Sequence, residues 1–386
     1  MKTVGIICEY NPLHLGHKKQ MDYIRREFGA DTAIVCAMSG NFVQRGSPAI
    51  IDKSARAAAA VACGADLVLE LPIPGALSSA EGFAAAGVRT LAPLCDALCF
   101  GAETTQPDTL LSAAQGLLHP DFPPLLRQAL DTGKSFPAAR QAALEQMGVD
   151  ASVLSQPNNI LAVEYCKAIL TQGLSMVPYP IYRAGSYHAV TADADNPSAT
   201  AVRNLMLIAH NWSTFVPSEA LVWLEEAPLH ALEAGERAIL GKLRTMTDAE
   251  FEALPYGSEG LWRKLMHACR QQSTLEEILT ATKSRRYTRS RLDRMVMCAF
   301  LGITAADLTM QIPYTRVLAF TSRGRAVLKE GKRHTSFRNA GEAAEHPYWE
   351  LEKRCSDLYG LFCTQGPEAP GQEPLRRIHY HRRELT

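Results

Sequence analysis

The first 105 residues alternate short, continuously apolar runs with helical patterns, and this alternation constrains the fold more than any other feature of the chain. The runs TVGIICE, TAIVCAM, DLVLELP and DALCFGAE have the length of strands. A strand that is apolar throughout is buried on both of its faces, which is typical of a parallel sheet covered by helices. We therefore predict an α/β fold with a Rossmann-like, doubly wound parallel sheet.

Helix signals separate the runs and continue beyond them. DKSARAAAAVACG has Asp52 as a candidate N-cap and Gly64 as a stop signal. A fifth strand is predicted at SMVPYPIYR, and Ser198 opens a further helix in PSATAVRNLMLIAHN. The sequence thus places at least five strands before residue 200.

Strand signals fade after about residue 212, where long helical patterns take over. This change predicts three parts: a sheet domain at 1–212, a mainly helical domain at 213–366 and a flexible basic tail at 367–386. The tail prediction depends on CTQGPEAPGQEP, which is rich in Pro and Gly and is typical of a linker.

Composition excludes few functions. The chain has 40 basic and 40 acidic residues, so only local clusters of charge can indicate a nucleic-acid partner. Its ten cysteines form no C-x-x-C pair, which favours a reducing, cytoplasmic setting over a disulfide framework. No uncharged apolar stretch reaches the roughly 18 residues of a membrane span, so we expect no membrane association.

Polar residues follow each predicted strand, where a doubly wound sheet binds its ligands. In strand order they are Glu9, Tyr10, Asn11, Pro12 and His14; the stretch SGNFVQRG; Glu70; the stretch Gly101–Glu103; and Arg183. Because the carboxyl ends of parallel strands meet at one edge, we expect these segments to converge on one crevice.

The stretch HLGH enters the first predicted helix directly after the first strand. A helix N-terminus offers free N–H groups to an anion, and Gly16 permits close approach. His14 and His17 are then candidate charge-assisted donors to phosphate oxygens. From the residues alone, a metal site or a bare turn stays possible, although no third metal ligand lies nearby in the sequence.

Two motifs resemble those of a known superfamily. HLGH resembles the H-x-G-H signature of the HIGH-type nucleotidyltransferases, and SATAVR at 198–203 resembles their phosphate-binding helix start. The two motifs also occur in the order expected for that superfamily. The resemblance implies transfer of an adenylyl group by in-line attack on the α-phosphate of ATP.

A narrower resemblance covers the whole sheet domain. GIICEYNPLHLGH, AMSGNFVQRGSPAIIDKSARA, GADLVLELP and FGAE are together similar to the bacterial tRNA(Met) cytidine acetate ligases. That family activates acetate with ATP as acetyl-adenylate and transfers the acetyl group to N4 of the wobble cytidine, position 34, of elongator tRNA(Met). Leu13, Leu15 and Ala102 stand where the family commonly has Phe, Asn and Ser.

The resemblance implies a set of site residues. The catalytic candidates are His14, His17 and Arg203. The ATP-binding candidates are Ile7, Cys8, Glu9, Tyr10, Asn11, Pro12, Leu13, His14, Leu15, Gly16, His17, Lys18, Lys19, Gln20, Gly101, Asn158, Arg183, Ser198 and Thr200. Asn41, Gln44 and Arg45 are our candidates for the acetate pocket. Magnesium is expected to accompany the ATP phosphates, and no resident metal is predicted.

A basic cluster in the helical part is our candidate for holding tRNA. It comprises Lys283, Arg285, Arg286, Arg289, Arg291 and Arg294, with Arg286, Arg289 and Arg294 predicted on one helical face. Tyr287 is a candidate for stacking on a base. A solvated charged face is the plain alternative for such a run. Two other functions stay open: an adenylyltransferase that acts on a small phosphorylated metabolite, and a non-catalytic RNA-binding protein.

Overall fold

The computed structural model describes residues 2–183, 197–284 and 286–382. Its strands are Thr3–Cys8 (β1), Ala33–Ser39 (β2), Phe42–Val43 (β3), Ser47–Pro48 (β4), Leu67–Leu71 (β5), Ala97–Ala102 (β6), Val177–Tyr182 (β7), Thr315–Thr321 (β8), Phe337–Asn339 (β9) and His379–His381 (β10).

The helices surround this strand set. They are Leu15–Phe28 (α1), Lys53–Cys63 (α2), Ile73–Ala76 (α3), Ala80–Leu91 (α4), Pro107–Leu118 (α5), Phe122–Asp131 (α6), Phe136–Gln146 (α7), Pro157–Thr171 (α8), Ala199–Leu207 (α9), Ser218–Glu225 (α10), Leu232–Thr245 (α11), Asp248–Glu252 (α12), Leu261–Gln271 (α13), Leu275–Thr282 (α14), Arg289–Leu301 (α15), Ser322–Gly331 (α16) and Pro347–Tyr359 (α17).

In the described part of the chain, eight strands form one sheet in the order β10-β8-β5-β2-β1-β6-β7, and β9 lies beside β8. The pairs are parallel except β5 with β8. Cys8, the last residue of β1, pairs with Met38, the last but one of β2, so both strands end at the same edge of the sheet. The predicted α/β fold with a mainly parallel sheet is confirmed.

Both faces of the sheet are covered, as the continuous apolar runs indicate. In β2, Val35 and Ala37 join the core under α4 and α8, whereas Ile34 and Cys36 join the core under α1 and α2. None of these side chains is exposed. Burial on both faces explains why the strand shows no alternation of apolar and polar residues.

A third core lies among α11, α13, α14, α15 and α17 and forms the predicted helical part. It includes Phe42 of β3, whose ring meets Tyr359 and Phe362 edge to face. The loop that follows β2 therefore attaches the helices to the sheet. No helix in the described ranges is long and apolar enough to cross a membrane.

The C-terminal segments depart from the predicted three-part division. Strands β8 and β9, expected within a helical domain, extend the sheet, and β10 of the predicted flexible tail pairs with β8. Glu373 is fully buried against Lys53 at 2.8 Å and also contacts Arg316. Burying Lys53 and Arg316 without a carboxylate would be costly, so their contacts with Glu373 anchor the C-terminal segment. The Pro and Gly residues before Glu373 mark turns. The boundary near residue 212 stays a prediction.

Candidate active site

The HLGH turn is a capping box built from two imidazoles. His14 is the N-cap of α1, and its Nδ1 accepts the Gly16 N–H at 3.1 Å. In return, His17 Nδ1 accepts the His14 N–H at 3.2 Å. The rings stack with centroids 3.7 Å apart. Ser and Glu commonly play these two roles, and here the histidines satisfy the same free N–H groups of the helix.

The capping bonds determine which nitrogen carries the proton. Because Nδ1 accepts in both rings, a neutral imidazole holds its hydrogen on Nε2. Burial, followed by Arg183 and Arg203, lowers the pKa of His14 to about 3. Burial, then His14 and Arg183, lowers the pKa of His17 well below its usual value. The ligand-free site thus presents two neutral N–H donors. In a bond to phosphate the charge assistance would come from the anionic oxygen, and that role stays a prediction.

His14 Nε2 is buried and has no hydrogen-bond partner among the described residues. An unsatisfied buried donor costs roughly 1–3 kcal/mol, so its retention calls for an explanation. An acceptor oxygen supplied by a ligand would complete it.

Arg203 of α9 is tied to the turn after β1. Its Nη1 donates to the Asn11 carbonyl oxygen at 2.6 Å, and its Nη2 donates to Thr200 Oγ1 at 3.0 Å. Ser198 caps α9 by accepting the Ala201 N–H at 3.1 Å. The two motifs, 184 positions apart from His14 to Ser198, therefore meet at one edge of the sheet.

The opposite wall comes from β6, β7 and α8. A Cβ on Gly101 would lie 3.1 Å from Arg183 Cδ, so glycine leaves room for that side chain. Glu103 accepts from both the backbone N–H and the Nδ2 of Asn158, the latter at 2.7 Å. Asn158 is thereby held at the start of α8, facing the crevice.

Two adjoining cavities occupy this edge, with volumes of about 800 Å³ and 220 Å³. Both are lined by His14, His17, Gln20, Gly101 and Arg183. The larger volume lies in the usual range for a small-molecule pocket, roughly 300–1,000 Å³.

Most of the predicted ATP residues line one of the cavities: Ile7, Cys8, Glu9, Tyr10, Asn11, His14, Gly16, His17, Lys19, Gln20, Gly101, Asn158, Arg183 and Thr200, together with Arg203. Pro12, Leu13, Leu15, Lys18 and Ser198 do not line them. Leu13 is fully buried in the core, and Lys18 pairs with Asp22 at 2.5 Å.

Two of the three acetate-pocket candidates line the smaller cavity, and the third does not. Gln44 and Arg45 line the smaller cavity. Asn41 does not, because its Oδ1 accepts the Lys53 N–H at 2.9 Å at the start of α2. Glu9 lines the cavity and accepts the Gln44 N–H at 2.8 Å, and burial raises the pKa of its carboxyl group.

Sequence reasoning missed the apolar wall of the smaller cavity, which consists of Phe83 on α4, Phe100 on β6, and Leu161 and Tyr165 on α8. The available signal was weak. Apolar residues on a helix that follows a sheet strand are ordinarily core residues, and only the fold shows which of them reach the crevice.

Two members of the basic cluster, Arg286 and Arg289, are paired with acids. Arg286 meets Glu259 at 3.1 Å, and Arg289 meets Glu276 at 2.6 Å. The side chain of Arg291 donates to the Tyr256 carbonyl oxygen at 2.7 Å. Lys283 is exposed, and Arg285 lies outside the described residues. Exposed ion pairs are worth only about 0–1 kcal/mol, so phosphates could replace these carboxylates at little cost.

Arg294 is a correction to the predicted RNA-contacting set. It is only 7% exposed and donates to the Gln44 carbonyl oxygen at 3.3 Å. The predicted shared face also fails, because α15 begins at Arg289 and Arg286 precedes it. Arg294 instead joins the helical part to the loop that lines the smaller cavity.

Comparison with known proteins agrees with the motifs. The family described as HIGH Nucleotidyl Transferase matches residues 1–373. A protein of Acetivibrio thermocellus named tRNA(Met) cytidine acetate ligase is 33% identical, over 98% of this chain and 99% of that protein. The Bacillus subtilis protein of the same name is 34% identical, over 97% and 94%.

Solved structures also match this chain over nearly its whole length. The crystal structure of Thermotoga maritima TmcAL bound with α-thio ATP has a TM-score of 0.86 to this chain at 27% identity, covering 99% of this chain and all of the other. The apo form of that protein has a TM-score of 0.89. With its HLGH and SATAVR motifs and these full-length relatives, the chain belongs to the tRNA(Met) cytidine acetate ligase family of HIGH nucleotidyl transferases.

Proposed function

We propose that the protein is an ATP-dependent ligase that activates acetate as acetyl-adenylate and acetylates N4 of cytidine 34 in elongator tRNA(Met). One observation carries the proposal: the neutral Nε2–H donors of His14 and His17 and the guanidinium of Arg183 line the same two cavities. Such an arrangement is suited to a polyphosphate, since it offers positive charge and aimed donors in one place.

In the first step, an acetate oxygen attacks the α-phosphorus of ATP, and the bond to the β-phosphate oxygen breaks. Pyrophosphate leaves with that electron pair. The protein need not form a bond of its own, because alignment and stabilisation of charge on the phosphate oxygens suffice. His14, His17 and Arg203 are the proposed donors to these oxygens, and the start of α9 adds N–H groups.

The smaller cavity is the proposed acetate side. Its volume of about 220 Å³ and its apolar wall suit a methyl group, and Gln44 and Arg45 supply the polar side. Glu9 would repel a second carboxylate when it is ionised. Its raised pKa and its bond from the Gln44 N–H are therefore part of the proposed arrangement.

In the second step, the N4 amine of cytidine attacks the acetyl carbonyl carbon, and AMP leaves. The amine gives up one proton in the process. We place the tRNA along Lys283, Arg286, Arg289 and Arg291, which lie in α15 or in the segment just before it. Arg294 of α15 touches the Gln44 loop, so this surface adjoins the smaller cavity. Arg285 is part of this proposal by sequence alone.

Magnesium fits the cavities only as an ATP-bound ion. Glu9 is the single acidic residue among the described residues that line them. Mg²⁺ commonly keeps several waters and binds substrate phosphates with few protein ligands. When bound, it would neutralise phosphate charge, and the histidines and arginines above would hold the remaining oxygens.

The experiment combines the purified protein with ATP, [¹⁴C]acetate and transcripts of elongator or initiator tRNA(Met). We expect label on elongator tRNA only, at cytidine 34, with AMP and pyrophosphate as products. An elongator transcript with uridine at position 34 is the matched control and should remain unlabelled. Elongator tRNA that stays unlabelled, with no acetate-dependent release of AMP and pyrophosphate, would refute the proposal and leave a plain adenylyltransferase as the alternative.

A further inference from the structure

A second cluster of ligating side chains lies outside the cavities, where the chain enters and leaves the helical part. His230, Cys363 and Glu368 place one nitrogen, one sulfur and one oxygen within 4.8 Å of one another. His230 is 2% exposed and Cys363 is 6% exposed, whereas the Glu368 side chain is 35% exposed. None of them takes part in the chemistry proposed above.

The backbone brings the first two side chains together. His230 and Cys363 face each other in an isolated antiparallel bridge. The flanking hydrogen bonds run from Ala231 N–H to the Phe362 oxygen and from Thr364 N–H to the Leu229 oxygen. Residues opposed in this way, between the bonded pairs, have the shorter Cα separation of about 4.5 Å and project to the same side.

Glu368 returns to the same point through a tight turn. Gly366 has φ +121°, a conformation that suits glycine, and the Glu368 N–H donates to the Gly360 oxygen at 3.1 Å. The Pro- and Gly-rich stretch CTQGPE therefore forms an ordered loop whose first and last residues are two of the three ligating groups.

The orientation of the His230 ring is the second, independent indication of a ligand. Its Nδ1 lies 3.2 Å from the Pro228 oxygen, and a carbonyl can only accept, so Nδ1 carries a hydrogen. The other ring nitrogen, Nε2, faces Glu368 Oε2 at 3.3 Å. Either a proton on Nε2 or a metal ion between the two atoms makes this contact attractive.

A metal ion in that position would also be within reach of the Cys363 sulfur, which a ring proton does not use. Metal-bound histidines usually donate their other ring N–H to a backbone carbonyl or a carboxylate, as His230 does. Two atoms at about 2.0–2.1 Å from a tetrahedral ion lie roughly 3.3 Å apart, which matches the nitrogen–oxygen separation. One nitrogen, one thiolate and one carboxylate suit Zn²⁺.

The other acidic cluster provides a contrast. Glu70, Glu352 and Glu373 also lie within 4.8 Å of one another. Lys53 and Arg316 already occupy the space between those carboxylates and pair closely with Glu70 and Glu373. No such side-chain cation is found between His230 and Glu368 among the ion pairs of the described residues.

We propose that His230, Cys363 and Glu368 bind one Zn²⁺ ion, with the fourth position open to solvent beside Glu368. Binding releases the Cys363 thiol proton. The ion joins the entry to α11 with the loop after α17. The backbone N–H of His230 also donates to the Ile50 oxygen at 2.8 Å. The Ile50 N–H in turn donates to Asn11 Oδ1, so the proposed metal site is connected to the turn after β1. This inference does not depend on the proposed function.

The test uses the full-length protein, stripped with a chelator and titrated with Co²⁺ as a spectroscopic substitute for zinc. We expect about one equivalent bound, with a cysteinate-to-cobalt charge-transfer band in the near ultraviolet, and displacement by Zn²⁺. Cys363→Ala should lose the band. Cys269→Ala, which removes an equally buried thiol in α13, should keep it.

Glu368→Gln is the variant least apt to disturb folding, because its side chain is partly exposed. It should weaken Co²⁺ binding by at least ~10-fold. Zn²⁺ should raise the Tm of the wild type and leave that of Cys363→Ala unchanged. A wild-type protein without the band, or a band that survives Cys363→Ala, would overturn the zinc proposal and leave a His230–Glu368 ion pair.

Discussion

Replacement of His14 by asparagine separates the two roles of this side chain. As the N-cap of α1, His14 accepts the Gly16 N–H through Nδ1, and an asparagine Oδ1 can accept the same bond. Asparagine has no group in the place of Nε2, which is the unpartnered donor that we aim at a phosphate oxygen. His14→Asn should therefore remove the catalytic contact and keep the helix start.

The magnitudes follow from the two contacts. Loss of one preorganised donor to transition-state charge typically costs about 10²–10³ in kcat, or roughly 2.7–4 kcal/mol. Loss of an N-cap costs about 0.5–2 kcal/mol of stability, and asparagine should keep most of that. His14→Ala loses both contacts, so it should be about 1 kcal/mol less stable than His14→Asn and no more active.

Acetate-dependent exchange of pyrophosphate into ATP measures the first step without tRNA, and urea unfolding measures stability. We expect His14→Asn to lower the exchange rate at least ~100-fold with a small change in unfolding free energy. A rate within threefold of the wild type would refute the phosphate-donor role. Equal destabilisation by Asn and Ala would refute the capping argument.

Three further predictions follow from burial and charge. Gly46→Ala should lower the free energy of unfolding by at least ~2 kcal/mol, since φ is +82° there and the new Cβ would lie 2.4 Å from Arg294 N. Gly133→Ala is the control: with φ +84° but open space around it, it should lower that free energy by only about 1 kcal/mol in the same urea assay. Burial lowers the pKa of His14 from 6.5 to about 3, so the unfolded chain binds a proton in this range that the folded protein does not. Wild-type stability should therefore fall by up to ~1.4 kcal/mol per pH unit as pH drops from 6.5 towards 3, and His14→Asn should lack this contribution. Burial and a neighbouring carboxylate raise the pKa of Glu352 from 4.5 to about 7, so its contribution to the free energy of unfolding declines as pH rises from 4.5 to 7. Glu352→Gln should reduce this pH dependence of stability, and an unchanged dependence would contradict the assignment.

The sequence was sufficient for the elements whose signals are local. The apolar runs that became β1, β2, β5, β6 and β7 are all found where they were predicted. His14 and Ser198 could be assigned to helix starts, because capping depends on residues a few positions away.

Contacts between residues far apart in the sequence cannot be predicted from such local signals. TRVLAFT, which forms β8, pairs antiparallel with β5 about 250 positions earlier, and nothing local to either strand records this. In the sequence Arg294 cannot be distinguished from the surface arginines beside it, because its contacts with Gly46 and Gln44 span about 250 positions. The burial of Glu373 likewise depends on two distant cations, so the sequence of its segment alone predicts a flexible tail.

The fate of the acetate oxygens tests the central claim most directly. The protein is supplied with ATP, elongator tRNA(Met) and acetate labelled with ¹⁸O in both carboxylate positions, and the products are weighed by mass spectrometry. If acetate attacks the α-phosphorus and the amine then displaces AMP, each AMP carries one ¹⁸O. Unlabelled AMP, or ¹⁸O in inorganic phosphate together with ADP, would show that acetate is activated in another way.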